Sequence, residues 1–470
     1  MVLLVIQVER NKYFVYLSKE MNNNMNGRTI TYQQHNLMKR LKWVQDHGDL
    51  NGATAKRADN LHRLFLYPAM MVPMTQSLIV EAILEDLPRN AMAIDPYMGS
   101  ATSLMSCMEY GLGIYGQDIN PLAVLIAQAK ISSFDIKLIE EVLNKLMLDI
   151  KNDTSDSINI DFPGIDKWFT KQVQINLSKI RRNIQNIKDK DIRKLFWVIM
   201  SEVIRIDSND RTSTFKLHQR TNEDISKRIV DVIGDFETLC KRGISDITLF
   251  RNKLIENNLI ENNIYIKPHH ICWGNTVEKI NSDLKFDLLI SSPPYGDNHT
   301  TVTYGQHSYL QLQWIDPLDL DSLIDYDYLR STQEIDRQSL GGRIDSKEIA
   351  IKLSKILNTS PSLKEFYEGL PIKERPLYNK TISFIQDFEK SLDIIVRSMK
   401  EKAFYVWTIG NRNVNKREIP NDKILIDLMK SRGIELIFNV ERDILNKKQS
   451  KRNRSSRTME KERILIFQRQ

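Results

Sequence analysis

Two short stretches place chemically capable residues on backbone that has little freedom to move. In the first, the apolar run Phe286-Asp287-Leu288-Leu289-Ile290 leads into Ser291-Ser292-Pro293-Pro294-Tyr295. The run reads as a buried strand of a parallel sheet. Proline donates no ladder hydrogen bond and forces the residue before it out of the helical region, so the strand must end in a stiff corner. That corner carries the Ser292 hydroxyl, the Pro293 carbonyl and the Tyr295 ring. Two fixed acceptors can take both N–H groups of an aromatic amine and draw out a lone pair otherwise delocalised into its ring, while Tyr295 stacks on the ring face. Taken alone, the motif also fits an ordinary Pro-Pro turn.

The second stretch, DPYMGSAT at residues 95–102, sits where a strand turns into a helix. Gly99 lets backbone approach a ligand, and the helix start offers unpaired N–H groups. The next strand ends on Asp118, placed to accept two hydrogen bonds from a ribose diol. A phosphate site is disfavoured: the Gly-Lys-Ser/Thr end of a P-loop is absent, and Asp95 would repel the anion. Acidic residues suit a ligand with positive charge beside its ribose, as in S-adenosylmethionine (SAM) with its sulfonium and ammonium. A structural glycine turn remains the alternative on these residues alone.

The elements that position these stretches follow from periodicity. Strands are expected at 91–94 and 114–117, joined by a helix starting near Ala101 and ending at Gly111 or Gly113. Asn120 caps a following helix with Pro121 at its first position. Residues 134–265 carry apolar positions at helical spacing, and Trp168, Phe169, Phe196, Trp197 and Phe236 are expected to form that insertion's own core. Strands resume at 269–273 and 286–290. A helix at 382–399 precedes a strand at 403–408, and a helix at 422–431 precedes a strand at 434–440. ERILIFQ supplies a seventh strand, antiparallel to the sixth across a basic loop. The chain divides into an extension (1–60), a ligand-binding half (61–133), the helical insertion (134–265), a half with SPPY (266–315), a second insertion (316–380) and a C-terminal part with the basic hairpin (381–470).

Composition excludes several classes. The 470 residues are 41% hydrophobic and 27% charged, which is globular rather than disordered. Lys and Arg number 67 against 60 Asp and Glu, and nine basic residues face three acidic ones between Arg442 and Arg463. That surplus permits a polyanionic partner. Cys107, Cys240 and Cys272 are too scattered for a disulfide framework or zinc site and fit a reducing cytoplasm. The opening MVLLVIQV is too short to span a bilayer, so no membrane role is expected. Consecutive histidines 269 and 270 would point to opposite faces of a strand, so no metal site is expected. His299 and His307 read as loop residues near the SPPY corner.

With these motifs quoted, a resemblance can be stated. DPYMGSAT resembles the Asp-Pro-Phe-x-Gly-Ser-Gly-Thr cofactor motif of SAM-dependent DNA amino-methyltransferases. SPPY resembles their catalytic tetrapeptide, and YPAMMVP at residues 67–73 resembles the segment that packs against the methionine part of SAM. The likeness spans roughly residues 62–132 and 268–470. It implies a Rossmann-like class I methyltransferase fold, α/β, with a seven-stranded, mostly parallel sheet whose last strand is antiparallel. It implies SAM as cofactor, held by Tyr67, Pro68, Asp95, Pro96, Tyr97, Gly99, Ser100, Thr102, Asp118, Ile119, Asn120 and Asn275. Catalysis falls to Ser292, Pro293, Pro294 and Tyr295. Two departures stand out: Ala101 replaces a glycine, which is costly if the turn requires positive φ, and Asn275 replaces an acidic residue near the adenine amine.

The resemblance further implies double-stranded DNA as substrate, with the target base flipped out of the duplex. Lys447, Lys448, Lys451, Arg452 and Arg454 in the hairpin loop are candidate phosphate contacts, although a merely solvated loop would have the same composition. The insertion at 134–265 is expected to read the target sequence. Cytosine-C5 chemistry is disfavoured, because none of the three cysteines follows a proline. Serine in the first tetrapeptide position associates in relatives with cytosine-N4 methylation, with adenine-N6, RNA modification or a non-catalytic binding module as alternatives. A monomer in the cytoplasm, serving beside a restriction endonuclease with the same site, completes the expectation.

Overall fold

Short apolar runs that end on aspartate, glycine or proline become the strands of one sheet. The computed structural model describes residues 31–54, 56, 59–132, 135–298, 301–343, 346–444 and 461–469. The strands are β1 (Met92–Asp95), β2 (Gly113–Asp118), β3 (His269–Trp273), β4 (Phe286–Ser291), β5 (Met399–Ile409), β6 (Ile434–Asp443) and β7 (Lys461–Arg469). They lie in the order β6-β7-β5-β4-β1-β2-β3. The pairs β1–β2, β1–β4, β2–β3 and β4–β5 are parallel, whereas β7 runs antiparallel to both neighbours, β5 and β6. This is the expected Rossmann-like methyltransferase sheet. The strand order turns about β1: the chain steps outward to β2 and β3 on one side and to β4 and β5 on the other.

Alternation along the strands feeds two apolar layers. Ala93, Leu288, Ile290, Phe404 and Val406 face one layer; Ile94, Leu289, Tyr405 and Trp407 face the other. Strands with both faces covered have no polar edge to show, which is why they read as nearly continuous hydrophobic runs. The first layer holds α1 (Tyr32–His47), α2 (Pro73–Leu84), α3 (Thr102–Glu109) and α4 (Pro121–Ile131). It also holds α5 (Ile136–Asn152), α6 (Lys171–Gln185), α7 (Lys190–Asp207), α8 (Val232–Glu256) and α9 (Tyr304–Trp314). The second layer holds α10 (Ser346–Thr359), α11 (Asn379–Ser398) and α12 (Asn421–Lys430). Among the described residues no helix is long and apolar enough to cross a membrane.

Two expectations change. Trp168, Phe169, Phe196, Trp197 and Phe236 are buried, but they belong to the apolar layer that also holds α3 and α4, not to a separate core. Helix α7 packs directly on α4, which itself lies on the sheet, so the inserted helices extend the helical layer on that face. Helix α11 also ends at Ser398, and β5 begins at once with Met399, four residues before the expected start.

At the second βα turn, Asn120 caps α4 as expected, its side chain accepting from Leu122 N with Pro121 at the first position. Ala101 is less comfortable. It precedes α3 with φ 63° and ψ 30°, a left-handed conformation that costs an alanine about 1 kcal/mol or more. Its methyl is nonetheless fully buried. Ala101→Gly should therefore raise stability by up to about 1 kcal/mol in a urea titration. A lower midpoint would show that packing of the methyl outweighs the backbone strain.

Candidate active site

The carboxyl ends of β1, β2, β3 and β4 open onto one cleft, at the point where the sheet order reverses. Pro96, Tyr97 and Gly99 come from the turn after β1, and Asp118, Ile119 and Asn120 from the end of β2. Asn275 follows β3, and Ser292 and Pro294 follow β4; Tyr67 closes the cleft from the segment before α2. Ser292 and Asp118, 174 positions apart in the chain, therefore line the same cavity.

Asp118 is the best-placed charge. Its Oδ2 accepts from Gly99 N at 2.9 Å and its Oδ1 from Asn120 N at 2.8 Å. Burial pushes its carboxyl up to about 6, against the lowering effect of these N–H donors. Gly99 has φ +50°, and a Cβ there would sit 3.2 Å from the Tyr67 ring. That ring is held in turn: Asn120 Nδ2 donates to Tyr67 Oη at 3.0 Å, and Tyr304 stacks on it with centroids 5.6 Å apart. Asn120 thus caps α4 through its oxygen and positions an aromatic wall through its nitrogen.

Several expected contacts lie elsewhere. Asp95 is fully buried and does not line the cleft. Its Oδ1 accepts from Ser291 Oγ at 2.6 Å and Tyr97 N at 3.1 Å, and its Oδ2 accepts from Ser103 Oγ. It clasps the ends of β1 and β4 together, and burial pushes its carboxyl up to about 6. Ser100 and Thr102 do not line the cleft: the Ser100 carbonyl accepts from buried Lys130 Nζ at 2.7 Å, and Thr102 Oγ1 meets a His62 ring nitrogen at 2.8 Å. Pro68 and Pro293 are buried outside the lining. Tyr295 also stands outside it, with its hydroxyl 3.1 Å from Ser292 Oγ and donating to Glu462 Oε1 at 3.0 Å. Asn275 does line the cleft, but its amide is engaged locally, accepting from Val277 N and donating to Glu278 Oε1.

The lining also includes residues that the sequence did not flag. Gly274, Thr276 and Val277 belong to the turn after β3, where Thr276 Oγ1 donates to the Pro96 carbonyl at 2.8 Å. Asn298, Tyr304, Ile335, Ser339 and Leu340 form the far wall. The Gly-Asn turn was a readable signal; the far wall combines irregular chain at Asn298, Ser339 and Leu340 with the first residue of α9 and one residue of a five-residue helix, Glu334–Gln338. His307 is helical rather than in a loop. It is buried in α9 with a ring nitrogen 3.0 Å from the Leu66 carbonyl, and burial pushes it down to about 3, so it is neutral. His299 and the basic residues Lys447, Lys448, Lys451, Arg452 and Arg454 lie outside the described residues. Among the described residues no group of three or more histidine, cysteine or carboxylate side chains could hold a metal ion.

The chain is 29% identical over 430 residues to the type II methyltransferase M.MvaI of Kocuria varians, covering 89% of this chain and 92% of that protein. Over nearly its whole length the chain is therefore similar to a type II methyltransferase. A second, M.MjaII of Methanocaldococcus jannaschii, is 32% identical over 142 residues, 30% of this chain and 24% of that methyltransferase. No family model matches. A solved rRNA methyltransferase, aviRa of Streptomyces viridochromogenes, aligns over 85% of this chain and 86% of its own at 9% identity, with a TM-score of 0.27 too low to carry weight.

The Asp95 clasp has a pH signature. Its folded value lies above the ordinary 3.8, so its burial removes stability as pH rises from about 4 to about 6, and the loss stays constant above that. The Ser291 hydroxyl offsets the penalty only where Asp95 is ionised. Ser291→Ala should cost about 1.5–3 kcal/mol at pH 8 and clearly less at pH 5, by urea denaturation at both. Equal losses would contradict an ionised clasp.

Proposed function

We propose that the chain is a DNA methyltransferase that transfers a methyl group from SAM to the exocyclic N4 amine of cytosine within a specific duplex sequence. One observation carries the reading: the carboxylate suited to a ribose diol and the hydroxyl of the Ser-Pro-Pro-Tyr corner line the same cleft. The homology to type II methyltransferases supports the reaction class.

The cleft fits SAM on its own chemistry. Asp118 would hold the ribose, the Tyr67 ring above Gly99 would pack along the cofactor, and Asn275 would stand near the adenine amine. A carboxyl pushed up to about 6 by burial gains from a cationic ligand, because the ligand's charge offsets the cost of its ionisation. Bound there, SAM supplies an electrophilic methyl group on a sulfonium.

The chain's own residues supply position. Ser292 Oγ, on the cleft wall, would accept one N–H bond of the target amine, and the Pro293 carbonyl, between the lining residues Ser292 and Pro294, would take the other once the base is seated, pulling its lone pair out of conjugation and toward the incoming carbon. Holding nucleophile and carbon about 3–3.5 Å apart and in line can contribute roughly 7–11 kcal/mol of barrier reduction, with no covalent intermediate on the protein. A paired base cannot enter the cleft, so the target is flipped out at a cost of a few kcal/mol. Phosphate contacts by Lys447, Lys448, Lys451, Arg452 and Arg454 would help to meet that cost in a salt-dependent way. Serine at position 292 supports cytosine over adenine through its association in relatives. Action as a cytoplasmic monomer beside a restriction endonuclease of the same specificity fits this reading.

Tritiated methyl transfer to unmethylated plasmid, followed by nucleoside analysis, tests the function: N4-methylcytosine is expected, and N6-methyladenine would reassign the base. Ser292→Ala should cut turnover at least a hundredfold and leave SAM affinity within about twofold; full turnover would remove Ser292 from the chemistry. SAM affinity should also weaken about tenfold from pH 7 to pH 5, as Asp118 takes up a proton below about 6. A flat profile by calorimetry would contradict Asp118 as the ribose anchor.

A further inference from the structure

A serine hydroxyl can donate as well as accept, and its rotor is normally free. In the proposed reaction that freedom is a liability, because a hydroxyl turned toward the target amine would set donor against donor. The structure contains a device that removes it. Ser292 Oγ lies 3.1 Å from Tyr295 Oη, which lies 3.0 Å from Glu462 Oε1. The other carboxylate oxygen, Oε2, is ion-paired with Arg442. Arg442 and Glu462 face each other in register on β6 and β7, with side chains only 8% and 12% exposed. Asn421 Nδ2 donates to the Tyr295 carbonyl at 3.0 Å and fixes the backbone of the same residue.

Donor counting along this chain leaves one arrangement. Arginine only donates, and a carboxylate paired with it only accepts. Tyr295 has a single proton, and it must go to Glu462. Burial and the nearby Glu462 carboxylate push the Tyr295 phenol well above its ordinary value, so it keeps that proton. Its oxygen can then only accept from Ser292, and the one Ser292 proton is spent on Tyr295. The remaining lone pairs of Ser292 are left for the cleft.

We propose that Glu462, held by Arg442, is a positioning residue that sets the hydrogen-bond direction of Ser292 through Tyr295, making Ser292 an acceptor only toward the amine. This rests on the methyl-transfer reading above. It gives Tyr295 a task other than stacking: its ring stands outside the cleft lining, and its hydroxyl acts as a relay of polarity.

The test uses the full chain, duplex DNA and SAM. Glu462→Gln keeps the shape, but Arg442 takes the amide oxygen and turns the NH₂ group toward Tyr295, which reverses the chain. Turnover should fall tenfold or more, with SAM affinity within twofold of the parent. In a Tyr295→Phe background, Glu462→Gln should add less than twofold, because the relay is already cut. Tyr295→Phe alone, which leaves the Arg442–Glu462 pair intact, should slow turnover several-fold at unchanged SAM affinity. That variant keeps the proposal testable should Glu462→Gln fold poorly. Turnover within twofold of the parent in either single variant, or a Glu462→Gln loss equally large in both backgrounds, would overturn the proposal. An active parent with insensitive variants refutes this inference alone; a parent that transfers no methyl to DNA refutes the reading beneath it as well.

Discussion

A single buried carboxylate ties the two chemical halves of the molecule together. Asp95 ends β1, Ser291 ends β4, and their side chains meet at 2.6 Å beneath the floor of the cleft. Beyond Asp95 the chain turns into the Gly99 loop, and beyond Ser291 it turns into the Pro-Pro corner. The clasp therefore fixes the spacing between the two loops that line the cleft. Neighbouring strands in a sheet lie about 4.8 Å apart, so adjacent strands already bring the two loops within reach of one small molecule. A burial that pushes Asp95 up to about 6 is the cost of using a charged group there, and Ser103, Ser291 and Tyr97 N offset part of it. A neutral residue would avoid that cost, but it would not gather three donors from a strand, a turn and a helix.

Asp118 repeats the same physics with a different outcome. It too is pushed up to about 6 by burial and accepts two backbone N–H groups, but it lines the cavity whereas Asp95 is sealed below it. Two acidic residues at neighbouring strand ends thus divide into a structural clasp and a group that faces the cleft. Their identity does not separate them; only their direction does.

That distinction marks the limit of what could be read from the chain. Strand ends were legible because proline, glycine and aspartate leave strong local signals, and Ser292, Asp118, Gly99 and Asn120 stand where those signals placed them. Asp95, Ser100 and Thr102 share a motif with true lining residues and were read as contacts, since a motif records type but not direction. Asn298, Ser339 and Leu340 were missed because they reach the cleft from irregular chain, where no period announces a face, and Tyr304 because it opens a helix that the sequence pattern did not mark. The partnership of Tyr295 with Glu462 spans 167 positions and depends on β7 lying two strands from β4. The inserted helices were legible as helices, but not as part of the layer they complete, because an apolar stripe does not name its partner.

The central claim is that one cleft holds donor and acceptor side by side, anchored at Asp118 and facing Ser292. A crystal structure of the chain with S-adenosylhomocysteine tests this most directly. The account predicts ribose hydroxyls on the Asp118 carboxylate and the sulfur directed toward the Ser292 hydroxyl, with open space between them for a nucleobase. A ligand bound away from Asp118, or one whose sulfur points away from Ser292, would contradict it.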